Sequence, residues 1–204
     1  MDRVARLRRR RAGDPTVDVV LESGEVIRVH DRRVGEHRLA AGAKLGPPAV
    51  DALRRAAEAD AFERRALRLI ARRPRSRAEL RARMAEWGLE PAAATELLDR
   101  LEELRAVDDP AVARAVAEHG SDAGHGRRRI AADLARRGLA EDTAEPALAA
   151  LPTDDAERAI RLVERRFGAP PYTDRDARRA AAFLARRGFD EDVIAAAVGR
   201  DPGD

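Results

Sequence analysis

Side chains able to do chemistry are few and scattered in this sequence. Four histidines stand at positions 30, 37, 119 and 125, and none has a second ligand four residues away, the one-turn spacing on which helical zinc sites are built. They are expected in strand ends or loops. His119 and His125 bracket the glycine-bearing stretch from Gly120 to Gly126, where Asp122 is the one further donor. Gly124-His125-Gly126 is not followed by Gly-Lys-Ser/Thr and follows no strand pattern, so it does not read as a phosphate loop. Asp108-Asp109 has the composition of an acid–base or metal pair, yet it stands before Pro110, the arrangement of a helix start. With no cysteine there is neither a disulfide nor a thiolate metal site. The chain reads as a binding protein, not an enzyme, with no cofactor and no metal.

Charge carries more information. All 40 basic residues except Lys44 are arginine, beside 37 acids. Residues 64–83 hold nine arginines against Glu79 alone, whereas residues 90–110 hold seven acids against two arginines. Such blocks can be solvated helix faces with ion pairs each worth about 0.2–0.5 kcal/mol, or a ridge that meets phosphate or an acidic protein surface. Recurrence favours the ridge. Arg77 and Arg81, then Arg127 and Arg128, then Arg178 and Arg179 stand at the openings of similar helices, where cations oppose the helix dipole and gain nothing locally. These six are the expected partner-binding residues. Arg136-Arg137 and Arg186-Arg187 fall in last turns, where the dipole alone explains them. Aromatic residues make up 3% of the chain, too few for a base-stacking module.

The elements that must position these arginines follow from a repeat. Gly88, Gly138 and Gly188 lie 50 residues apart, in the frames AELRARMAEWGLE, RRIAADLARRGLA and RRAAAFLARRGFD. Met84, Leu134 and Leu184 precede the glycines by four, Leu89, Leu139 and Phe189 follow them directly, and Leu98, Leu148 and Val198 lie ten beyond. These are expected core positions. Each glycine closes an apolar-periodic stretch, as a helix C-cap does. Glu90, Glu141-Asp142 and Asp190-Glu191-Asp192 then open the next helix, where carboxylates can satisfy free N–H groups and face the positive end of the dipole. A further helix precedes each pair: Phe62 to about Arg72 with Leu67 and Ile70, one from Asp109-Pro110 with Val112 and Val116, and one after Pro152-Thr153 with Ile160 and Val163. Ser76-Arg77-Ala78-Glu79 matches a capping box, and Pro146 should delay or kink its helix.

The fold class is therefore mainly α: an elongated array of three three-helix repeats with a small N-terminal extension containing a β-hairpin. The expected division is a basic disordered arm over 1–13, the hairpin plus a helix over 14–60, and helical repeats over 61–107, 108–151 and 152–204. The hairpin is read from Val17, Val19 and Leu21, the turn at Ser23-Gly24, and Val26, Ile27 and Val29. It should pack on the helix that Gly46-Pro47-Pro48 introduces. No apolar run approaches the roughly 18 residues of a membrane span, and a cytoplasmic location is expected.

The stretches ALRLIARRPRSRAELRARM, WGL, LDRLEELRAVDD, GRRRIAADLARRGL and FLARRGFDEDVI, in that order, resemble the bacterial RecX family along residues 61–198. The resemblance implies a monomeric regulator that lies in the groove of the RecA filament on DNA and touches adjacent RecA subunits. It would restrain filament extension, ATP hydrolysis and strand exchange in recombination, DNA repair and the SOS response, meeting DNA weakly or through RecA. The chain departs from the family pattern at Arg127, where Pro is usual, at Val112, where an aromatic residue is common, and at Trp87, where a basic residue is usual. Two other readings remain open from residues alone: a DNA-binding helical regulator and a helical scaffold for another protein.

Overall fold

The computed structural model describes residues 1–199; the last five residues of the expected third repeat lie outside the described residues. Four strands and ten helices are found among the described residues, so the chain is mainly helical with a small N-terminal sheet. It divides into two compact units, Met1–Arg73 with Met84–Leu101, and Pro74–Arg83 with the chain from Glu102 onward.

In the first unit, alternation of apolar residues makes β2 (Thr16–Leu21) and β3 (Val26–His30) an antiparallel hairpin around Gly24. The expected disordered arm is instead strand β1 (Asp2–Arg8), which pairs with β2 and with β4 (Lys44–Leu45), giving the order β3-β2-β1-β4. The arginine run does not prevent pairing, because a strand needs only one buried side. Val4 is fully buried and Leu7 packs on the same core, while Arg8 and Arg10 reach the carboxylate of Asp18 on β2. After β3 comes the short helix α1 (Arg32–Glu36). Helix α2 (Pro47–Ile70) then runs unbroken through residue 60, so the expected boundary between the extension and the first repeat falls inside a helix. No Gly or Pro follows Pro48 within it. Val50 and Leu53 of α2 close the core against Val4, Val19, Leu21, Ile27 and Val29. Further along α2, Ala66 is buried, whereas Leu67, expected inside, is 38% exposed.

Asp18 is 1% exposed and is held by Arg28 at 2.7 Å, Arg8 at 3.3 Å and Arg10 at 3.4 Å. The Arg28 hydrogen bond, helped by Arg8 and Arg10 against the cost of burial, lowers its pKa from 3.8 to about 2. A carboxylate depressed on folding stabilises the protein above its ordinary pKa, and that stability is lost as pH falls through the folded value. Between about pH 4 and about pH 2 the chain should thus lose about 2 kcal/mol attributable to this group. Urea unfolding across that range checks it, and an Asp18→Asn variant should lack this component of the acid sensitivity.

The remaining helices are α3 (Arg77–Glu86), α4 (Pro91–Glu103), α5 (Asp109–Asp122), α6 (Arg127–Arg136), α7 (Glu141–Ala149), α8 (Asp155–Phe167), α9 (Asp174–Arg186) and α10 (Glu191–Val198). One core gathers Val112, Ala113, Ala117, Ile130, Leu134 and Leu139 from α5 to α7, and another gathers Ala159, Val163, Ala180, Leu184, Phe189 and Val198 from α8 to α10. His119 and Gly120, expected at a loop, lie inside α5, where Gly120 is buried against Ile130 and leaves no room for a Cβ. Pro146 does not delay α7, which opens at Glu141; as the sixth of nine residues it stands inside the helix and forfeits the backbone bond its N–H would make to the carbonyl four residues earlier. The acids opening α7 and α10 make no side-chain cap hydrogen bond and act through the dipole alone.

Candidate partner-binding surface

Helices α3, α6 and α9 each end in the same turn. Gly88, Gly138 and Gly188 have φ of 80°, 70° and 79°, and the residue after each donates its N–H back to Met84, Leu134 and Leu184, at 3.0, 3.3 and 3.3 Å. This closes the helix in a Schellman motif. The three acceptor residues are fully buried, so the turn and the core use the same positions.

What the turn then meets is a second helix end. The first N–H groups of any helix lack intrahelical partners, and the last carbonyls likewise. At the start of α6, Gly126 N donates to Arg187 O at 2.8 Å and Arg128 N to Gly188 O at 3.1 Å. At the start of α3, the Ser76 side chain donates to Arg137 O at 2.5 Å while completing a capping box with Glu79. The open end of one repeat's middle helix is thus satisfied by the closed end of the next repeat's. Neither joint has room for added atoms: a Cβ on Gly126 would overlap the Gly188 carbonyl, and one on Gly138 would overlap the Ala78 methyl.

These joints sort the arginines. Arg77 and Arg127, expected on an open ridge, are tied into the fold. Arg77 pairs with Glu102 at 2.6 Å, and Arg127 donates to Leu148 O at 2.7 Å and Leu151 O at 3.3 Å, with Asp155 at 3.5 Å. A guanidinium near the start of α6 gains nothing from its own helix but satisfies the carbonyls that end α7. Arg81, Arg128 and Arg178 are exposed and make no side-chain hydrogen bond or ion pair among the described residues. Arg179 is exposed, pairs with Asp176 at 3.3 Å and lies 5.8 Å from the Phe167 ring.

Each arginine pair beside a glycine divides into one inward and one outward member. Arg187 donates to Ala123 O at 2.9 Å and Gly124 O at 3.1 Å and stacks on Phe183, and Arg137 faces Glu79. Arg136 and Arg186 are exposed. With Arg128 and Arg129 they line a groove of about 640 Å³ beside Phe189 and Ile194. Its acids are Asp133, which Arg136 engages, and Glu191. Sequence reasoning left Arg129 out of the expected set and assigned Arg136 and Arg186 to the helix dipole alone, although an Arg recurs two residues before both Gly138 and Gly188. Arg158 was missed also. It donates to Ser121 O and His125 O at 2.8 and 2.9 Å and holds the connection between α5 and α6. Burial, then Arg129, lowers the pKa of His125 in that connection. Among the described residues no group of three His, Cys, Asp or Glu is placed to hold a metal ion, and no helix is long and apolar enough to cross a membrane.

Fold and surface together define a class: glycine-closed three-helix repeats that join through their middle helices and carry outward arginines. Three family models match in order, described as the RecX first three-helix domain over residues 64–101, the second over 108–148 and the third over 153–198. The chain is 40% identical over 114 residues to the regulatory protein RecX of Xanthomonas axonopodis pv. citri (strain 306), covering 56% of this chain and 70% of that one. To the regulatory protein RecX of Halorhodospira halophila it is 37% identical over 119 residues, covering 58% and 74%. This chain belongs to the RecX family of regulatory proteins. A crystal structure of a regulatory protein RecX shares the fold with a TM-score of 0.76 at 20% identity, over 95% of this chain and 97% of that one. RecX from Lactobacillus salivarius does so with a TM-score of 0.61 at 18% identity, over 69% and 94%.

Proposed function

We propose that this chain regulates the RecA recombinase by binding its filament on DNA, and that it restrains ATP hydrolysis, filament extension and strand exchange without chemistry of its own. It works as a cytoplasmic monomer whose basic extension precedes three helical repeats that do the binding. The observation that carries the reading is the pair Arg128 and Arg178. They stand ten residues before Gly138 and Gly188 on equivalent helices, both exposed and, among the described residues, both without a carboxylate partner. Similar units offering the same free cation suit a polymer whose subunits also repeat, and a free guanidinium presents its fork to phosphate or carboxylate. Arg81, Arg179 and the groove arginines Arg136 and Arg186 extend that surface; Arg77 and Arg127 support it from within.

At stoichiometric amounts the protein should inhibit RecA ATPase on single-stranded DNA. Arg128→Glu with Arg178→Glu should raise the concentration for half-inhibition by about tenfold or more, given that each charge contact to a polyanion carries a share of affinity, and should leave the helical circular dichroism unchanged. Full inhibition by the double variant removes this surface from the mechanism. If the unaltered protein leaves ATPase and strand exchange untouched, RecA is not the partner.

A further inference from the structure

The N-terminal sheet turns one face to α2 and the other outward, and the outward face carries an organised set of cations. Register decides its membership. Val4, Leu7, Val19, Leu21, Ile27 and Val29 belong to the core, so their strand neighbours Arg6 and Arg8 on β1, Asp18 and Val20 on β2, and Val26 and Arg28 on β3 face away from it. Arg10, just past β1, reaches the same side through Asp18. Three of these arginines, Arg8, Arg10 and Arg28, gather on one carboxylate, and Arg6 stands beside them opposite Val20.

That carboxylate is buried beneath them, its side chain 2% exposed, while Arg8, Arg10 and Arg28 remain 54%, 57% and 34% exposed. Each gives Asp18 one nitrogen and keeps other N–H donors for solvent. Arg6 is exposed and makes no ion pair among the described residues. The acids around the rim are engaged elsewhere: Glu22 with Arg3, Glu25 with Arg54, Asp31 with Arg9, and Asp14 with Thr16. One negative charge therefore orients three guanidinium groups, and the face keeps an uncompensated positive charge.

We infer that this outer sheet face is a second binding site, independent of the helical repeats, and that its ligand is the phosphodiester backbone of single-stranded nucleic acid. Arg6 and Arg8 stand two residues apart on β1, which on an extended strand spaces cations by about 6.6–6.8 Å, and Arg10 adds a third cation past the strand's end. Closely spaced forked donors on an exposed strand match a polyphosphate, whose charges recur along its length, better than the irregular carboxylates of a protein surface. Val20 and Val26 are the apolar residues between the arginines, and no aromatic ring stands on the face. Contact is made to phosphate and not to base, so binding is indifferent to sequence.

The test uses the full chain in an Arg128→Glu/Arg178→Glu background, which weakens the repeat surface, so that a further loss on altering the sheet reports this site and not the proposed RecA contact. Anisotropy of a labelled oligothymidylate should still report binding there. Adding Arg6→Glu and Arg10→Glu should weaken it by about tenfold or more at low salt and flatten the salt dependence by about 1.4 in log–log slope, about 0.7 for each phosphate lost. Arg6→Glu alone disrupts no contact of the fold and should still weaken binding and flatten the slope by about half as much. Unchanged affinity and slope, or no binding in the background chain, overturns the proposal. So does loss of binding to polyglutamate with oligothymidylate binding intact, which would assign the face to an acidic protein.

Discussion

Replacing Gly126 by Ala should cost about 3 kcal/mol or more, although the residue is not in the left-handed region. Its φ of −80° suits alanine, so backbone strain is not the reason. The added methyl would stand inside the carbonyl group of Gly188 and against the N–H of Phe189, and backbone on both sides has no rotamer with which to retreat. The two helix ends must move apart, and the bonds from Gly126 N to Arg187 O and from Arg128 N to Gly188 O weaken together. Gly35→Ala is the control: that glycine lies in α1 with nothing within 4 Å of the added atom, and the change should be neutral or slightly stabilising. Thermal and urea unfolding of the two variants checks the contrast. Equal midpoints would mean that the joint relaxes without loss.

Removing the carboxylate of Asp60 should be as damaging, at about 3–5 kcal/mol. Asp60 is 1% exposed in α2 and accepts from His30 N at 2.6 Å, Arg32 at 3.0 Å and Arg33 at 3.3 Å. It thereby pins α2 to the corner where β3 gives way to α1. Beside it, Glu63 takes Arg32 at 2.6 Å and Arg100 at 3.4 Å, so α1, α2 and α4 share one charge network. With Asp60→Ala, Arg32 and Arg33 lose a partner and the His30 N–H loses its acceptor, a larger penalty than the pair's net worth. Asp60→Asn keeps an acceptor and should cost less. Comparing the two by urea unfolding separates lost charge from lost hydrogen bonding; equal losses would assign the whole effect to charge.

The repeat was legible because its signals are local. A glycine at a helix end, an apolar residue before and after it, and Ser76 three residues ahead of Glu79 each describe one turn of chain, and the turns form as those residues require. The hairpin was legible for the same reason. Strand β1 was not. Its arginines read as unable to bury a face, and only the pairing with β2, ten residues on, supplies Asp18 as their anchor. The continuity of α2 was hidden differently: repeat logic placed a boundary where nothing in the residues breaks a helix.

The arginines mark the limit of sequence reading most sharply. Arg127 and Arg128 are neighbours of one type at one helix start, yet one is turned onto the carbonyls of α7 and the other is exposed with no partner among the described residues. Long side chains find acceptors set by tertiary packing, and a helix rotates adjacent residues by about 100°. Arg187, Arg158 and Arg127 each satisfy carbonyls at the end of another element, a use that no count of charges along the chain reveals.

The joints have a consequence for how the repeats open. Helix ends are ordinarily where a structure frays, losing a turn at a time at little cost. Here the first turn of α6 cannot loosen without also releasing the last carbonyls of α9, nor that of α3 without releasing Arg137 O. The softest part of α3 and of α6 has become a shared boundary, so opening either first turn must release the neighbouring helix end as well.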